Sequence, residues 1–151
     1  MKRNHIAHAV LAAFLLAGTS TAIFAQSNNT PKTSASEVQV VYHVSETASM
    51  RDALNNITNQ LATSPATRIT LLANSRGVFG LVGGERDRQG EYASTISELQ
   101  AKGVKFVACR TSMKKNNIAE SALLPNVSTV PAGVVELTRL QAQEHYAYIK
   151  P

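Results

Sequence analysis

One cysteine, Cys109, supplies all the thiol chemistry in the 151-residue chain. A lone cysteine excludes an internal disulfide framework, a CxxC motif and any dithiol mechanism within one chain. Metal ligands are equally scarce. Four histidines are present, but His5 and His8 lie in the first ten residues, and His43, His145 and Cys109 form no motif-spaced set. The sequence therefore implies no metal and no cofactor. The glycine-rich stretch GVFGLVGG, Gly77 to Gly84, matches neither GxGxxG nor a P-loop, and it reads as a tight, mobile lid beside a sheet edge. No G-x-S-x-G elbow offers a serine nucleophile. Basic stripes with interleaved aromatics are missing, which removes nucleic acid from the expected partners. No internal repeat occurs.

A long apolar run occurs only at the start. Lys2 and Arg3 precede an apolar stretch from Ile6 to Ala17, followed by small residues up to Ala25 and Gln26. This is the layout of a secretory signal peptide, expected to span residues 1–25. The run is too short to cross a membrane and has no stop-transfer pattern. A periplasmic or secreted protein free of the membrane after cleavage is expected. Loss of Lys2 and Arg3 leaves 13 basic against 10 acidic residues, so the formal charge falls from +5 to +3. Residues 26–37 are polar and aperiodic, a flexible leader. Residues 38–151 then make one domain, long enough for one core and too short for two.

Within that domain, β-branched runs alternate with amphipathic stretches. Val38 to Val44 (VQVVYHV) shows no strict alternation, as expected of a strand buried on both faces. Met50, Ala53, Leu54, Ile57 and Leu61 recur at helical spacing before Pro65. Arg68 to Asn74 is a second strand. Tyr92, Ile96 and Leu99 mark a helix that ends near Gly103. Val104 to Cys109 is a third strand, followed by a short helix capped by Thr111 or Ser112. A brief strand over Val127 to Val130, a last helix with Val134, Leu137 and Leu140 on one side, and an edge strand over Tyr146 to Ile149 complete the chain. Such alternation implies βαβ units and an α/β fold: a three-layer α/β/α sandwich on a mainly parallel sheet of about five strands.

Parallel order puts the strand C-termini on one edge, where ligands bind in open sheets. His43, Asn74 and Cys109 each end a strand. A thiol before a helix N-terminus, with Arg110, Lys114 and Lys115 close in sequence, favours the thiolate, the nucleophilic form. Two readings of Cys109 follow. One is a sulfur or redox site that uses an accessible thiol, with Arg110 and Thr111 stabilising the thiolate and His43 and Asn74 beside it. The other is a structural cysteine packed as a small hydrophobe in a non-catalytic oligomeric small-ligand-binding module. Tyr146, Tyr148 and the last helix would cover the core or line a subunit interface.

The first strand VVYHV, the helix segment ALNNITNQL, the junction GVKFVACRTSMKK and the closing VPAGVVELTRLQAQEHYAYIKP together resemble the DsrE/DsrF-like family of small sulfur-relay proteins. The resemblance runs from Val38 to Pro151, and the closing segment VPAGVVELTRLQAQEHYAYIKP resembles that family's exported branch. It implies a DsrE-like fold and assembly as homo-oligomers or with related DsrE-like subunits. It also implies exchange with sulfur donor and acceptor proteins. In the family's sulfurtransferases, a cysteine after the corresponding strand carries a persulfide, and Cys109 falls on that position. The implied function is a periplasmic sulfurtransferase or sulfur carrier.

Overall fold

A computed structural model describes residues 38–151; the expected signal peptide, residues 1–25, and leader, residues 26–37, lie outside them. The strands are β1 (Gln39–Val44), β2 (Arg68–Ala73), β3 (Arg86–Asp87), β4 (Gly90–Glu91), β5 (Lys105–Cys109), β6 (Val127–Val130) and β7 (Ala147–Ile149). Five of them form one parallel sheet in the order β6-β5-β2-β1-β7, while β3 and β4 pair as a separate antiparallel hairpin. The helices are α1 (Met50–Thr63), α2 (Tyr92–Ala101), α3 (Arg110–Lys115) and α4 (Gly133–Ala142). The fold is the α/β sandwich on a parallel five-stranded sheet that the alternation implies.

Strand side chains alternate between two faces, and the faces are covered unequally. Val40, Tyr42, Val44, Ile69, Leu71, Ala73, Phe106 and Ala108 form the larger core with the buried sides of α1, α2 and α3. Met50, Ala53, Leu54, Ile57 and Leu61 of α1 are all buried there, as their spacing predicts. Burial of one such aliphatic side chain contributes about 1.5–3 kcal/mol. On the other face, Val41, Leu72 and Val107 meet Leu137 and Leu140 of α4, with Tyr146 alongside. One ten-residue helix is therefore the main cover of that face.

Local chemistry sets the element ends. Gly103 has φ +89 and follows α2, where its N–H donates to Gln100 O at 2.9 Å and the Val104 N–H donates to Leu99 O at 3.0 Å. This pair of bonds is a Schellman cap, which only a residue at ease in the left-handed region closes cheaply. Arg51 of α1 grips the β3–β4 hairpin. Its guanidinium meets Asp87 Oδ2 at 2.9 Å and Oδ1 at 3.1 Å, donates to Gly90 O at 2.9 Å, and lies 5.0 Å from the Tyr92 ring centroid.

Two sequence expectations are corrected. The glycine stretch is not a lid: Ser75–Leu81 is a 3₁₀ helix with Gly77, Val78, Gly80 and Leu81 buried. A Cβ on Gly77 would overlap the main-chain carbonyl of Val44. These glycines serve close packing against β1 and α1. The inner side of α4 is also rotated from the expected one. Gly133, Leu137 and Leu140 face the sheet, and Val134 is 64% exposed.

Because the atom that Gly77 approaches belongs to the main chain of β1, Gly77→Ala should cost about 2 kcal/mol or more. Urea unfolding would show a lower midpoint at unchanged slope. Val134→Thr, at an exposed position, should stay within about 0.5 kcal/mol of the parent.

Candidate functional site

The sheet order decides which strand ends become neighbours. Ala108 of β5 pairs with Ala73 of β2, and Ala73 pairs with Val44 of β1. Cys109 and Asn74, each one residue further on, thus stand at the same height. His43 shares the α4 face of β1 with Val41, and Tyr148 of β7 pairs with Val41. Strand alternation also puts Cys109 on the α4 face, with Val107. The three strand-end residues of the sequence reading are brought together, and Tyr148 joins them.

A hydrogen-bonded chain links part of this row. His43 Nδ1 is 2.7 Å from Tyr148 Oη, and His43 Nε2 is 3.0 Å from Asn74 Oδ1. With the amide oxygen of Asn74 turned to His43, Nε2 carries the imidazole proton and Nδ1 accepts from the Tyr148 hydroxyl. Asn74 is buried, whereas Tyr148 is 41% exposed. The chain therefore runs from the solvent rim to the wall of the thiol site.

Cys109 sits between two helix starts. It is itself the N-cap of α3, replacing the expected Thr111 or Ser112 in that position. The first N–H of α4, from Gly133, donates to Cys109 Sγ at 3.1 Å. That approach requires glycine: a Cβ on Gly133 would lie 3.2 Å from Cys109 Cβ, 3.1 Å from Leu72 Cδ2 and 3.3 Å from Asn74 Cβ. Burial is the largest single influence on the thiol and pushes its pKa up. The Ser112 hydroxyl and the N–H groups of Gly133, Ser112 and Thr111 together outweigh it, and the pKa lies below that of a free cysteine. Of these, the Gly133 contact has full hydrogen-bond geometry; the α3 N–H groups face the sulfur more loosely.

The neighbouring cations do something else. Arg110 Nε is 2.8 Å from Thr129 Oγ1 and 2.9 Å from Glu120 Oε1, so its guanidinium is directed to these partners and is not among the groups that lower the thiol pKa. Thr111 acts through its main chain, while its hydroxyl donates to Pro131 O at 2.8 Å. The thiol is also less open than an accessible nucleophile requires, since Cys109 is only 4% exposed.

Beside the sulfur lies a cleft of about 290 Å³ lined by Ser75, Arg76, Thr111, Ser112, Lys115 and Asn116. A larger one, of about 740 Å³, lies at the opposite end of β5 around Gly103 to Phe106, away from all the strand-end residues. Among the described residues, no group of three or more His, Cys, Asp or Glu side chains is placed to hold a metal ion. No helix among them is long and apolar enough to cross a membrane.

A thiol whose folded pKa is depressed adds stability above its unfolded pKa, and that stability is lost as pH falls through the folded value. The stability advantage of the parent over Cys109→Ser should therefore grow as pH rises through the thiol range, read by urea unfolding at each pH. Gly133→Ala should push α4 off the sulfur and raise the thiol pKa, measured by the pH dependence of thiolate absorbance.

Comparison with known proteins supports the same architecture. The family model described as DsrE/DsrF-like family matches residues 22–151. A solved structure of a protein of unknown function from Methanobacterium thermoautotrophicum is similar at 33% identity and a TM-score of 0.67, covering 76% of this chain and 99% of its own. The crystal structure of the ychN protein from E. coli shares the fold at 17% identity and a TM-score of 0.63, with 76% and 100% of the two chains covered. No curated protein matches. The match extends over the whole described domain, and the parallel sheet with its strand-end cysteine lies within it: the chain belongs to the DsrE/DsrF-like family.

Proposed function

We propose that the protein is an exported sulfurtransferase or sulfur carrier that holds sulfane sulfur as a persulfide on Cys109. The observation that carries this reading is the set of donors around the sulfur. A structural cysteine in an apolar site has its pKa raised; Cys109 is equally buried, yet its surroundings favour the thiolate. The thiolate attacks the outer sulfur of a persulfide, R–S–SH. The Sγ–S bond forms, the S–S bond of the donor breaks, and R–S⁻ leaves with the bonding pair. A thiolate on an acceptor then attacks the outer sulfur on Cys109 and regenerates the Cys109 thiolate. No electrons are gained or lost overall, so no redox cofactor enters.

Gly133 and Ser112 hold the thiolate in place, and they would hold it again each time it leaves as the displaced group. Asn74, fixed by His43 and Tyr148, forms the polar wall beside it. Export rests on residues 1–25, with their basic start, apolar stretch and small-residue end. Related subunits, a second copy of the chain, and protein sulfur donors and acceptors are the partners that the family resemblance implies.

One observation favours a second reading, in which the strand edge binds a ligand and Cys109 only packs. Its 4% exposure leaves little room for a bulky donor thiol. Intact mass spectrometry after incubation with polysulfide separates the two. The carrier reading expects a gain of about 32 Da on the folded parent and none on Cys109→Ser. No gain, together with a thiol that alkylates only after unfolding, would sink it and leave the packing role.

A further inference from the structure

The cleft beside the thiol is unusual in its charge. It carries two cationic side chains, Arg76 and Lys115, on opposing walls, three hydroxyl residues and one amide, and no acidic residue. Three other arginines are matched to carboxylates: Arg51 with Asp87, Arg110 with Glu120, Arg139 with Glu136 and Glu144. Among the described residues, neither Arg76 nor Lys115 has a carboxylate partner, and the Arg76 guanidinium lies 5.7 Å from the Phe79 ring centroid. Two unmatched cations facing one small hollow repel each other unless an anion stands between them.

The walls of that hollow are fastened together. The Ser75 N–H donates to Ser112 Oγ at 2.8 Å, and Asn116 Nδ2 donates to Ser75 O at 3.2 Å and to Ser112 O at 2.7 Å. These bonds join the segment that carries Arg76 to the helix that carries Lys115. The cleft is therefore formed before anything enters it. Its volume of about 290 Å³ suits a small ligand, at the lower limit of the roughly 300–1,000 Å³ of drug-sized sites. Ser112 lines the cleft, and its hydroxyl also faces the Cys109 sulfur. The hollow and the thiol thus share a wall.

We infer that this cleft is a binding site for a small oxyanion, held by Arg76 and Lys115 with the Ser75 hydroxyl. Thr111, Ser112 and Asn116, whose donors serve Pro131, the Cys109 sulfur and the Ser75 and Ser112 carbonyls, form its polar walls. Guanidinium and ammonium groups bind tetrahedral oxyanions through charge-assisted hydrogen bonds, the guanidinium through paired ones. Taken with the carrier reading, on which this consequence rests, the site selects a class of sulfur donor: a sulfane sulfur attached to an oxyanion, of the thiosulfate type. The Cys109 thiolate would attack the outer sulfur, the Sγ–S bond would form, and the S–S bond of thiosulfate would break. Sulfite would leave with the bonding pair into the cationic cleft. Charge and electrons balance without a further reactant.

Binding and transfer can be measured apart. Isothermal titration with thiosulfate, and separately with inorganic phosphate, would use the parent, Arg76→Ala/Lys115→Ala, and Cys109→Ser. Both anions should bind the parent and Cys109→Ser alike, more weakly as ionic strength rises. The double variant, altered only at exposed positions, should bind about tenfold or more weakly. No binding to the parent, or binding indifferent to the loss of both cations, would overturn the anion site. Persulfide formation from polysulfide would still uphold the carrier reading in that case. Conversely, anions bound without any sulfur gained by the parent would defeat the carrier reading and leave the anion site standing.

Discussion

The contact between the Gly133 N–H and the Cys109 sulfur ties the molecule together. It joins the first turn of α4 to the C-terminal end of β5, and α4 is the principal cover of one whole face of the sheet. The same bond therefore helps to dock a layer and to set the chemistry of the thiol. A side chain at residue 133 would press at once on β2, β5 and Asn74, so the backbone itself must approach the sulfur. The absence of a Cβ allows a buried thiol to be solvated by peptide N–H groups in place of water. That substitution explains how burial and a depressed pKa coexist at Cys109.

Sheet order explains the rest of the edge. With β5, β2, β1 and β7 adjacent, Cys109, Asn74, His43 and Tyr148 come from four successive strands on one face. The row steps down that face: Cys109 and Asn74 are level, His43 lies one residue below the pairing partner of Ala73, and Tyr148 pairs lower still, with Val41. The long His43 and Tyr148 side chains close the gaps. The polar row is held by the most regular part of the fold. The more irregular wall, from Ser75 to Arg76, is laced back to α3 through Ser112 and Asn116. The fold thus keeps two kinds of surface around the sulfur, an amide and imidazole side and a cationic side.

Much of the architecture was legible in the sequence because burial leaves a local trace. Short apolar runs marked the five sheet strands, β-branched most clearly in β1, and the spacing of Met50, Ala53, Leu54, Ile57 and Leu61 marked α1 closely. The glycine stretch misled because its glycines answer to atoms far away in sequence, such as the Val44 carbonyl. No local pattern records such a contact. Val134 misled because spacing fixes a helical stripe only to within a residue or so. The stripe of Gly133, Leu137 and Leu140 begins with a residue that carries no apolar signal of its own. At the site, His43, Asn74 and Cys109 were visible as strand ends, but their adjacency required the strand order. Tyr148 was visible only as a residue of a last strand whose neighbour was unknown. Proximity in sequence suggested Arg110 as a partner for the thiol, yet Glu120 and Thr129 claim its guanidinium.

The pairing of β1 with β7 bears on how the molecule comes into being. The bond between His43 and Tyr148 spans 105 residues, and β7 forms the edge of the sheet outside β1. During synthesis, the outer flank of β1 must wait unpaired until β7, about a hundred residues later, has emerged. Contacts this distant in sequence carry a large loop-closure cost and form slowly. A nascent chain therefore carries Cys109 before it carries the Tyr148 that closes the polar row.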